Sequence, residues 1–260
     1  MKRERLDKIL SHHGFGSRKD VKKLLHSGRV NVNGKICTLP DVSIDLDIDV
    51  ISIDDEVLKV RKHVYLMMNK CEDVVCSNKD GIHSTVFDLV PEEYKTSSMG
   101  GELHCVGRLD IDTEGLLLLT TDGSLTHKLI SPKTHIPKTY HVKLQKGLSL
   151  REQTKYTEVF QKGMFVPAEG NESEFTALPA QLIWPSEENG SYLTENGPES
   201  CEVLITIYEG KYHQVKRMFA ACGNQVIKLK RLSIGGLYLD SGLALGQCRE
   251  LTQEELKFLI

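Results

Sequence analysis

The acidic residues near the middle of the chain are its first candidates for chemistry. Asp110, Asp112 and Glu114 stand within five residues of one another, and the apolar run Leu116-Leu119 follows them. Turn-forming residues before a buried strand predict that the Asp110 carboxylate lies at the edge of a core, where it could serve as a nucleophile. An aspartate beside a turn is also a common capping residue. This stretch alone leaves both interpretations open.

The spacing of Asp110 and Asp112 also suggests a second chemistry. In phosphatases of the haloacid-dehalogenase type, the first Asp of such a pair attacks phosphorus and magnesium neutralises the charge. That motif requires Thr or Val where Glu114 stands, and an apolar strand directly before the first Asp. Glu114 and the pair Gly107-Arg108 therefore argue against a phosphatase, and we predict no metal site.

Two later segments carry groups that could act on the same substrate. Tyr140 alternates with Val142 and Leu144, so it is either a core tyrosine or a ring that stacks on a nucleic-acid base. Lys216 and Arg217 fall outside the apolar stripe of a predicted helix. They either lie on a solvated face or reach a carboxylate or a phosphate.

The elements that must position these groups follow from the hydrophobic periodicity. The predicted strands are Val64-Met68, Leu116-Thr120, Tyr140-Leu144, Val203-Tyr208 and Val226-Leu229. The predicted helices in the same region are Leu125-Ile130 and Val215-Cys222. An exposed loop or hairpin tip is predicted at Glu187-Ser200. This order predicts an α+β fold with a mixed, largely antiparallel sheet flanked by helices.

The net charge of only −3 hides a strong asymmetry along the chain. Residues 1–35 contain ten Lys or Arg against three Asp or Glu, and residues 205–232 contain six basic residues against one Glu. The segments 36–60 and 168–202 are acidic. The two basic regions either form solvated faces or meet a polyanion such as a nucleic acid.

The basic N-terminal region has a recognisable pattern. A helix is predicted over Leu6-Leu10, a second from a Ser-x-x-Asp start signal at Ser17 to near Gly28, and a small hairpin around Asn33-Gly34. The region resembles the S4 RNA-binding module, whose members share Arg-Leu-Asp-x-x-Leu, Ser-Arg and Gly-x-Val-x-Val-Asn-Gly. Such modules bind structured RNA by shape and backbone contacts. The resemblance implies these RNA contacts: Arg5, Ser17, Arg18, Lys19, Lys22 and Arg29.

Composition limits the class of protein. Seven cysteines without a Cys-x-x-Cys pair predict no disulfide framework and no zinc site, and they favour small core residues in a reducing cytosol. The charged start Met1-Asp7 differs from a signal peptide, and no segment approaches membrane-spanning length. We therefore expect a cytoplasmic protein that meets no membrane. We predict an S4-like domain over residues 1–60, with a linker between Asp54 and Lys62, and a catalytic domain over residues 61–260.

Four motifs occur in a fixed order across the second predicted domain. Gly-Arg-Leu-Asp-x-Asp-Thr-x-Gly-Leu precedes Lys-x-Tyr, Gly-Lys-Tyr-His-Gln-Val-Lys-Arg-Met-Phe and Ile-Gly-Gly-Leu. Together with the S4-like region they resemble the pseudouridine synthases of the small-ribosomal-subunit (RsuA) type, from Arg5 to Glu255. The motif His-Gln-Val-Lys-Arg-Met is more similar to the small-subunit branch than to the large-subunit branch. One departure is Asn69-Lys70-Cys71, where relatives usually have Lys-Pro and where Cys71 relaxes the turn.

The resemblance implies a reaction and a role for each candidate. Uracil is flipped into a pocket, detached from ribose C1′ at N1 and rejoined through C5, with no cofactor. Asp110 is then the nucleophile or charge stabiliser, Tyr140 stacks on uracil, and Lys216 pairs with the acid and keeps it ionised. Further substrate or RNA contacts are implied for Arg108, His213, Gln214 and Arg217.

The resemblance also implies a substrate. We expect a uridine in ribosomal RNA of the small subunit (16S), presented in an assembly intermediate and modified by a monomeric enzyme. One alternative is a large-subunit synthase of the same family. Another is a catalytically silent RNA-binding factor for ribosome assembly, against which the joint presence of Asp110, Tyr140 and Lys216 argues.

Overall fold

The structure, a computed structural model, describes residues 3–46, 48–58, 60, 63–95, 102–184 and 200–259. The chain divides into two compact units. The first comprises Met1–Tyr65, Val90–His104 and Leu119–Asp122, and the second comprises Leu66–Leu89, Cys105–Leu118 and Gly123–Ile260. The predicted boundary between residues 60 and 61 stays a prediction. Residues 187–199 of the predicted exposed loop lie outside the described residues.

The described part of the chain contains seven α-helices and nineteen strands. The helices are α1 (Leu6–His12), α2 (Arg18–His26), α3 (Glu92–Lys95), α4 (Gly123–Ile130), α5 (Leu150–Gln161), α6 (Gln214–Ala221) and α7 (Gln253–Lys257). The first ten strands are β1 (Glu4–Arg5), β2 (Val30–Val32), β3 (Lys35–Ile36), β4 (Ser43–Ile44), β5 (Ile51–Ile53), β6 (Glu56–Val57), β7 (Tyr65–Lys70), β8 (Val74–Val75), β9 (Ser84–Thr85) and β10 (His104–Cys105). The others are β11 (Thr113–Thr120), β12 (Lys138–Leu148), β13 (Met164–Val166), β14 (Phe175–Ala177), β15 (Gln181–Ile183), β16 (Ser200–Ile207), β17 (Val226–Ile234), β18 (Leu237–Tyr238) and β19 (Cys248–Glu250).

The N-terminal region folds around its own apolar core. Two helices and a sheet of order β3-β2-β5-β6 enclose the buried residues Leu6, Ile9, Leu10, Val21, Leu25, Val30, Ile44, Ile51 and Ile53. Helix α2 begins with the predicted capping box, in which Ser17 and Asp20 exchange side-chain and backbone hydrogen bonds. The turn at Asn33 and Gly34 has the left-handed φ values of 53° and 76°. Both helices and the hairpin are therefore confirmed.

The predicted linker is wrong at its start. The segment Glu56–Val57 is a strand that pairs with β5, because its residues complete the edge of the small sheet. Residues 59, 61 and 62, which belong to the same predicted linker, lie outside the described residues.

A nine-stranded sheet forms the scaffold for the candidate site. Its main path is β15-β16-β12-β17-β11-β7-β19, with β10 on β11 and β18 on β17. Strand β12 runs antiparallel to both β16 and β17, whereas β11 and β17 are parallel. The prediction of a mixed, largely antiparallel sheet is confirmed, and all five predicted strands and both predicted helices of this region are present.

Helix α5 was not predicted, although its start signal stands in the sequence. Ser149 and Glu152 form a capping box of the Ser-x-x-Glu type. The helix contributes Phe160, whose ring centroid lies 4.9 Å from that of Phe219 on α6. Its largely polar composition weakens the apolar periodicity on which the prediction relied.

Two expectations from composition concern the whole chain. All seven cysteines are free thiols, and they are half-buried rather than the core residues that were expected. None of the helices in the described part of the chain is both long and apolar enough to cross a membrane.

Candidate active site

Asp110 lies in the loop that connects β10 to β11. Leu109 is buried and anchors this loop, and its N–H donates to Cys76 Sγ over 3.4 Å. The N–H of Thr113 donates to the Asp110 carbonyl over 3.1 Å and closes a turn. The Asp110 side chain is 29% exposed and lines a cavity. The structure thus places this carboxylate at the edge of the core, as its sequence context predicts.

A buried lysine holds the backbone of this loop. Lys70 ends β7, and its Nζ lies 3.0 Å from the carbonyl oxygens of Cys71, Asp110 and Thr113 and 3.3 Å from that of Ile111. An ammonium group has three donors and no acceptor, so it suits a cluster of carbonyls. Burial lowers the pKa of Lys70.

Gly115 brings β11 unusually close to β17. Its φ is +101°, and a Cβ at this position would lie 2.3 Å from the carbonyl oxygen of Arg231. The pairing is parallel, with Thr113 opposite Leu229 and Gly115 opposite Arg231. A larger residue at position 115 would separate the two strands and displace the loop before them.

Lys216 forms ion pairs with two carboxylates of the loop. Its Nζ lies 2.5 Å from Asp112 Oδ1 and 3.5 Å from Asp110 Oδ2. Burial, the largest single influence, acts to raise the pKa of Asp112, but the hydrogen bond and the positive charge of Lys216, with smaller contributions from the backbone and His213, together lower the pKa below its usual value. Lys216, the predicted partner of Asp110, is therefore shared between two carboxylates, and the shorter of its two contacts is with Asp112.

His213 approaches Asp110 from the turn before α6. Its Nε2 lies 3.6 Å from Asp110 Oδ1, and its backbone has a left-handed φ of 47°. The ring of Tyr212 stacks on it with centroids 3.8 Å apart. This turn brings an imidazole to Oδ1 of the carboxylate, whereas Lys216 contacts Oδ2.

Tyr140 and Asp110 line the same cavity, which encloses about 150 Å³. Tyr140 is 7% exposed and stands in the middle of the sheet, paired with Ile205 on β16 and Arg231 on β17. Apolar side chains complete the wall: Leu129, Ile207, Leu229 and Ile234. A carboxylate, an aromatic ring and apolar walls together suit a planar, partly polar ligand.

Two family models match the chain. The model of RNA pseudouridylate synthase matches residues 64–221 of the 260, and the model of the S4 domain matches residues 4–46. The chain belongs to the RNA pseudouridylate synthase family. The resemblance drawn from the four ordered motifs is thereby confirmed, and the chain is a pseudouridine synthase that carries an S4 domain.

The synthase is similar over nearly its whole length to bacterial members of the family. It is 42% identical over 256 residues to an uncharacterized RNA pseudouridine synthase, YtzG, of Bacillus subtilis, with 98% of each chain covered. It is 41% identical over 253 residues to the ribosomal small subunit pseudouridine synthase A of Vibrio vulnificus, with 97% of each chain covered. A crystal structure of a pseudouridylate synthase, 36% identical, matches with a TM-score of 0.61 over 98% of this chain and 99% of that one.

Two of the predicted substrate or RNA contacts of the synthase form hydrogen bonds within the protein. Gln214 borders the cavity, but it is buried and its Nε2 donates to Glu209 Oε1 over 2.8 Å. Arg217 is 4% exposed, and its Nη2 donates to the carbonyls of Pro167 and Ser173, each over 2.8 Å. The prediction that Arg217 reaches RNA is wrong, because the guanidinium fastens α6 to the segment before β14.

The remaining predicted contacts are accessible to different degrees. Arg108 is exposed at the rim of the cavity, and the basic residues Arg18, Lys19 and Lys22 are exposed on or beside α2. Arg5 donates to both carboxylate oxygens of Asp7 over 3.0 and 2.9 Å, and Arg29 pairs with Asp54, although both arginine side chains remain more than half exposed. The Ser17 side chain is exposed and takes part in the cap of α2, and its contact with RNA stays a prediction.

Sequence reasoning missed three basic residues around the cavity of the synthase. Lys70, Lys138 and Arg231 each stand in a strand where apolar residues are expected. Each lies two residues beyond an end of a predicted strand, where alternation would continue the buried face, and a charged residue there was the available signal because such residues are rarely buried without a specific partner. In the part of the chain that the structure describes, no cluster of His, Cys, Asp or Glu could hold a metal ion.

Proposed function

We propose that this synthase isomerises a uridine in small-subunit ribosomal RNA to pseudouridine, with Asp110 as the catalytic carboxylate. The observation that carries the proposal is one arrangement of three side chains. Asp110 shares its cavity with the ring of Tyr140, and Lys216 Nζ lies 3.5 Å from its Oδ2. Relatives at 36–41% identity are named for the small ribosomal subunit, which supports this choice of RNA over that of the large subunit.

The arrangement suits the chemistry of the isomerisation. The bond between C1′ and N1 breaks, a bond between C1′ and C5 forms, C5 loses its proton and N1 gains one. Asp110 attacks C1′ or stabilises positive charge there, and the ion pair with Lys216 orients the carboxylate. Tyr140 stacks on the flipped uracil and offsets part of the few kcal/mol that unstacking costs.

The S4 domain supplies the sequence-independent part of RNA binding in this proposal. The side chains of Arg18, Lys19 and Lys22 are exposed, so they can reach phosphates along an RNA helix. We infer that the enzyme acts as a cytoplasmic monomer on RNA within an assembly intermediate, in which the target loop is still open to base flipping.

The test is the release of tritium from 5-labelled uridine in ribosomal RNA, naked and partly assembled. We expect release from small-subunit RNA by the wild type and none by Asp110→Asn, with RNA affinity retained in both. Asp55→Asn is the matched control, because Asp55 is exposed with a φ of 67° that Asn also adopts. Release from large-subunit RNA alone would reassign the substrate. Normal release by Asp110→Asn would overturn the role of Asp110.

A silent assembly factor is the alternative from another functional class. It predicts RNA binding without tritium release from any ribosomal substrate. The contact of Lys216 with both loop carboxylates argues against it, because a chain that only binds RNA has no need to keep this ion cluster at a cavity.

A further inference from the structure

Two basic residues at the cavity of Asp110 form no ion pair with an acidic residue in the described part of the chain. Lys138 lies two residues before Tyr140 on β12, so both side chains point to the same face of the sheet. Its Nζ donates to the carbonyl of Ile136 over 3.1 Å. Lys138 and Tyr140 both line the cavity, so the ammonium group stands beside the place where a stacked base would lie.

Arg231 reaches the same cavity from the neighbouring strand. It stands opposite Tyr140 in the antiparallel pairing of β12 with β17, at the point where the register shifts. A register shift of this kind is a β-bulge, which changes the direction in which the adjacent side chain points. The Nε of Arg231 donates to the carbonyl of Leu116 over 2.7 Å, whereas its buried Nη2 has no acceptor among the described residues.

In the free protein, the positive charges of Lys138 and Arg231 repel each other. Burial, followed by the charge of Arg231, lowers the pKa of Lys138 to about 8. Two like charges held close together without a counter-ion are a cost to stability, and such arrangements are characteristic of sites whose ligand brings the missing charge. The cavity is therefore prepared for an anion or for a group that becomes anionic.

The position of the pair indicates which anion this is. When the bond between C1′ and N1 breaks, its electron pair stays on uracil and spreads over N1, O2 and O4. We propose that Lys138 and Arg231 bind the uracil carbonyl oxygens and stabilise this negative charge as the glycosidic bond breaks. The inference rests on the proposed function. Preorganised donors that meet charge developing in a transition state are among the strongest contributions to catalysis.

A backbone phosphate is the competing ligand, and the location of the pair argues against it. Arg231 is 3% exposed, and the cavity wall beside it is formed by Ile207, Leu229 and Ile234. Flipped bases enter such apolar pockets, whereas phosphates keep much of their hydration. Arg108, exposed at the rim, is better placed for a phosphate.

The experiment separates the chemical step from RNA binding. Single-turnover tritium release is measured at saturating small-subunit RNA, and the dissociation constant of the complex is measured as a function of salt. For Lys138→Met we expect release about 100-fold slower, with an unchanged dissociation constant and salt slope. Lys138→Arg, which keeps the charge, should recover most of the rate. Lys143→Met is the matched control, because Lys143 is exposed on the same strand.

Arg231 is tested with a variant that preserves its structural contact. Arg231→Gln keeps a side-chain N–H for the Leu116 carbonyl but removes the charge. We expect slower release at saturating RNA, again without a change in affinity, and a thermal midpoint is measured for each variant to show that it is folded.

Three outcomes would overturn the inference. The first is an unchanged rate in Lys138→Met. The second is a weaker complex whose salt slope falls by about one, which would identify a phosphate contact. The third is a loss of rate that Lys138→Arg does not recover and that accompanies a lower thermal midpoint, which would identify a structural role. If the wild type releases no tritium, the proposed function fails and this inference fails with it; the three outcomes above leave the proposed function standing.

Discussion

The ammonium group of Lys70 lies 3.0 Å from the main-chain carbonyl oxygen of Asp110 and is shielded from solvent. The proposed catalytic residue is thus held by its backbone as well as by ion pairs of its side chain. This separates the positioning of the main chain, which the buried Lys70 provides, from the orientation of the carboxylate, to which the ion pair with Lys216 contributes.

Lys70→Met should destabilise the protein and slow turnover. The substitution keeps the length of the side chain but leaves the carbonyls of the Asp110 loop without their donor, and buried acceptors without partners are costly. We expect the free energy of unfolding to fall by about 3 kcal/mol, measured by urea denaturation. Lys143→Met should change it by less than about 0.5 kcal/mol. A stability for Lys70→Met equal to that of this control would contradict the positioning role.

Asp112→Asn should weaken turnover without abolishing it. Asp112 is 63% exposed and forms the shorter of the two contacts with Lys216, so its charge orients the lysine. Loss of one charge-assisted hydrogen bond of about 1.4 kcal/mol corresponds to roughly a tenfold slower rate in the tritium assay. If Asp112→Asn were as inactive as Asp110→Asn, the assignment of the two carboxylates would have to be exchanged.

The rate of the chemical step should fall as the pH rises through about 8. The pKa of Lys138 is lowered to about 8 by burial and by Arg231, and the proposed role requires the protonated form, so activity is present below this pH and lost above it. The other titratable or charged groups that line the cavity are Arg108, Asp110, Tyr140, Lys211, His213 and Arg231. In Lys138→Arg the alkaline limb of the single-turnover profile should move to higher pH, since arginine stays charged. An unmoved limb would assign it to another group.

Glu255 should make stability depend on pH in the acid range. Arg249 donates to both of its carboxylate oxygens over 2.9 and 2.7 Å and lowers its pKa from 4.5 to about 2. A depressed folded-state pKa means that the stabilisation is fully present above about pH 4.5 and disappears as the pH falls toward 2. Thermal midpoints of the wild type and Glu255→Gln should therefore converge in acid. A constant difference across this range would show that the pair does not contribute through its charge.

Lys19→Glu and Lys22→Glu should weaken RNA binding and flatten its salt dependence. Both side chains are exposed on α2, and each phosphate contact that is lost lowers the salt slope by about one. The dissociation constant is measured at several salt concentrations, with Lys162→Glu, exposed at the end of α5, as the control. A slope equal to that of the control would remove α2 from the RNA interface.

Local patterns predicted most of the elements that carry the site. The alternation around Tyr140 and the run after Asp110 gave strands β12 and β11, and the capping signal at Ser17 gave α2. These features depend on neighbours in sequence, so periodicity and capping chemistry reveal them. Helix α5 was not predicted because few residues, among them Phe160, form its apolar face.

Local patterns do not predict contacts between segments that are far apart in the sequence. Arg217 follows a second basic residue, Lys216, in the sequence, and only the tertiary structure shows that its guanidinium donates to carbonyls 44 and 50 residues away. The hydrogen bond of Gln214 to Glu209, which is buried with it, is likewise seen only in the structure; its contact with the substrate stays a prediction.

By itself, the sequence determined the family, the fold class and the choice of Asp110, Tyr140 and Lys216 as catalytic candidates, because motif order and strand periodicity are written along the chain. Tertiary structure alone decided that Lys216 is shared between two carboxylates and that the buried Lys70 donates to the main-chain carbonyl of Asp110. It also decided that Lys138 and Arg231 meet beside Tyr140. Charges act through distance and burial, and both are set only when strands far apart in sequence pair in one register.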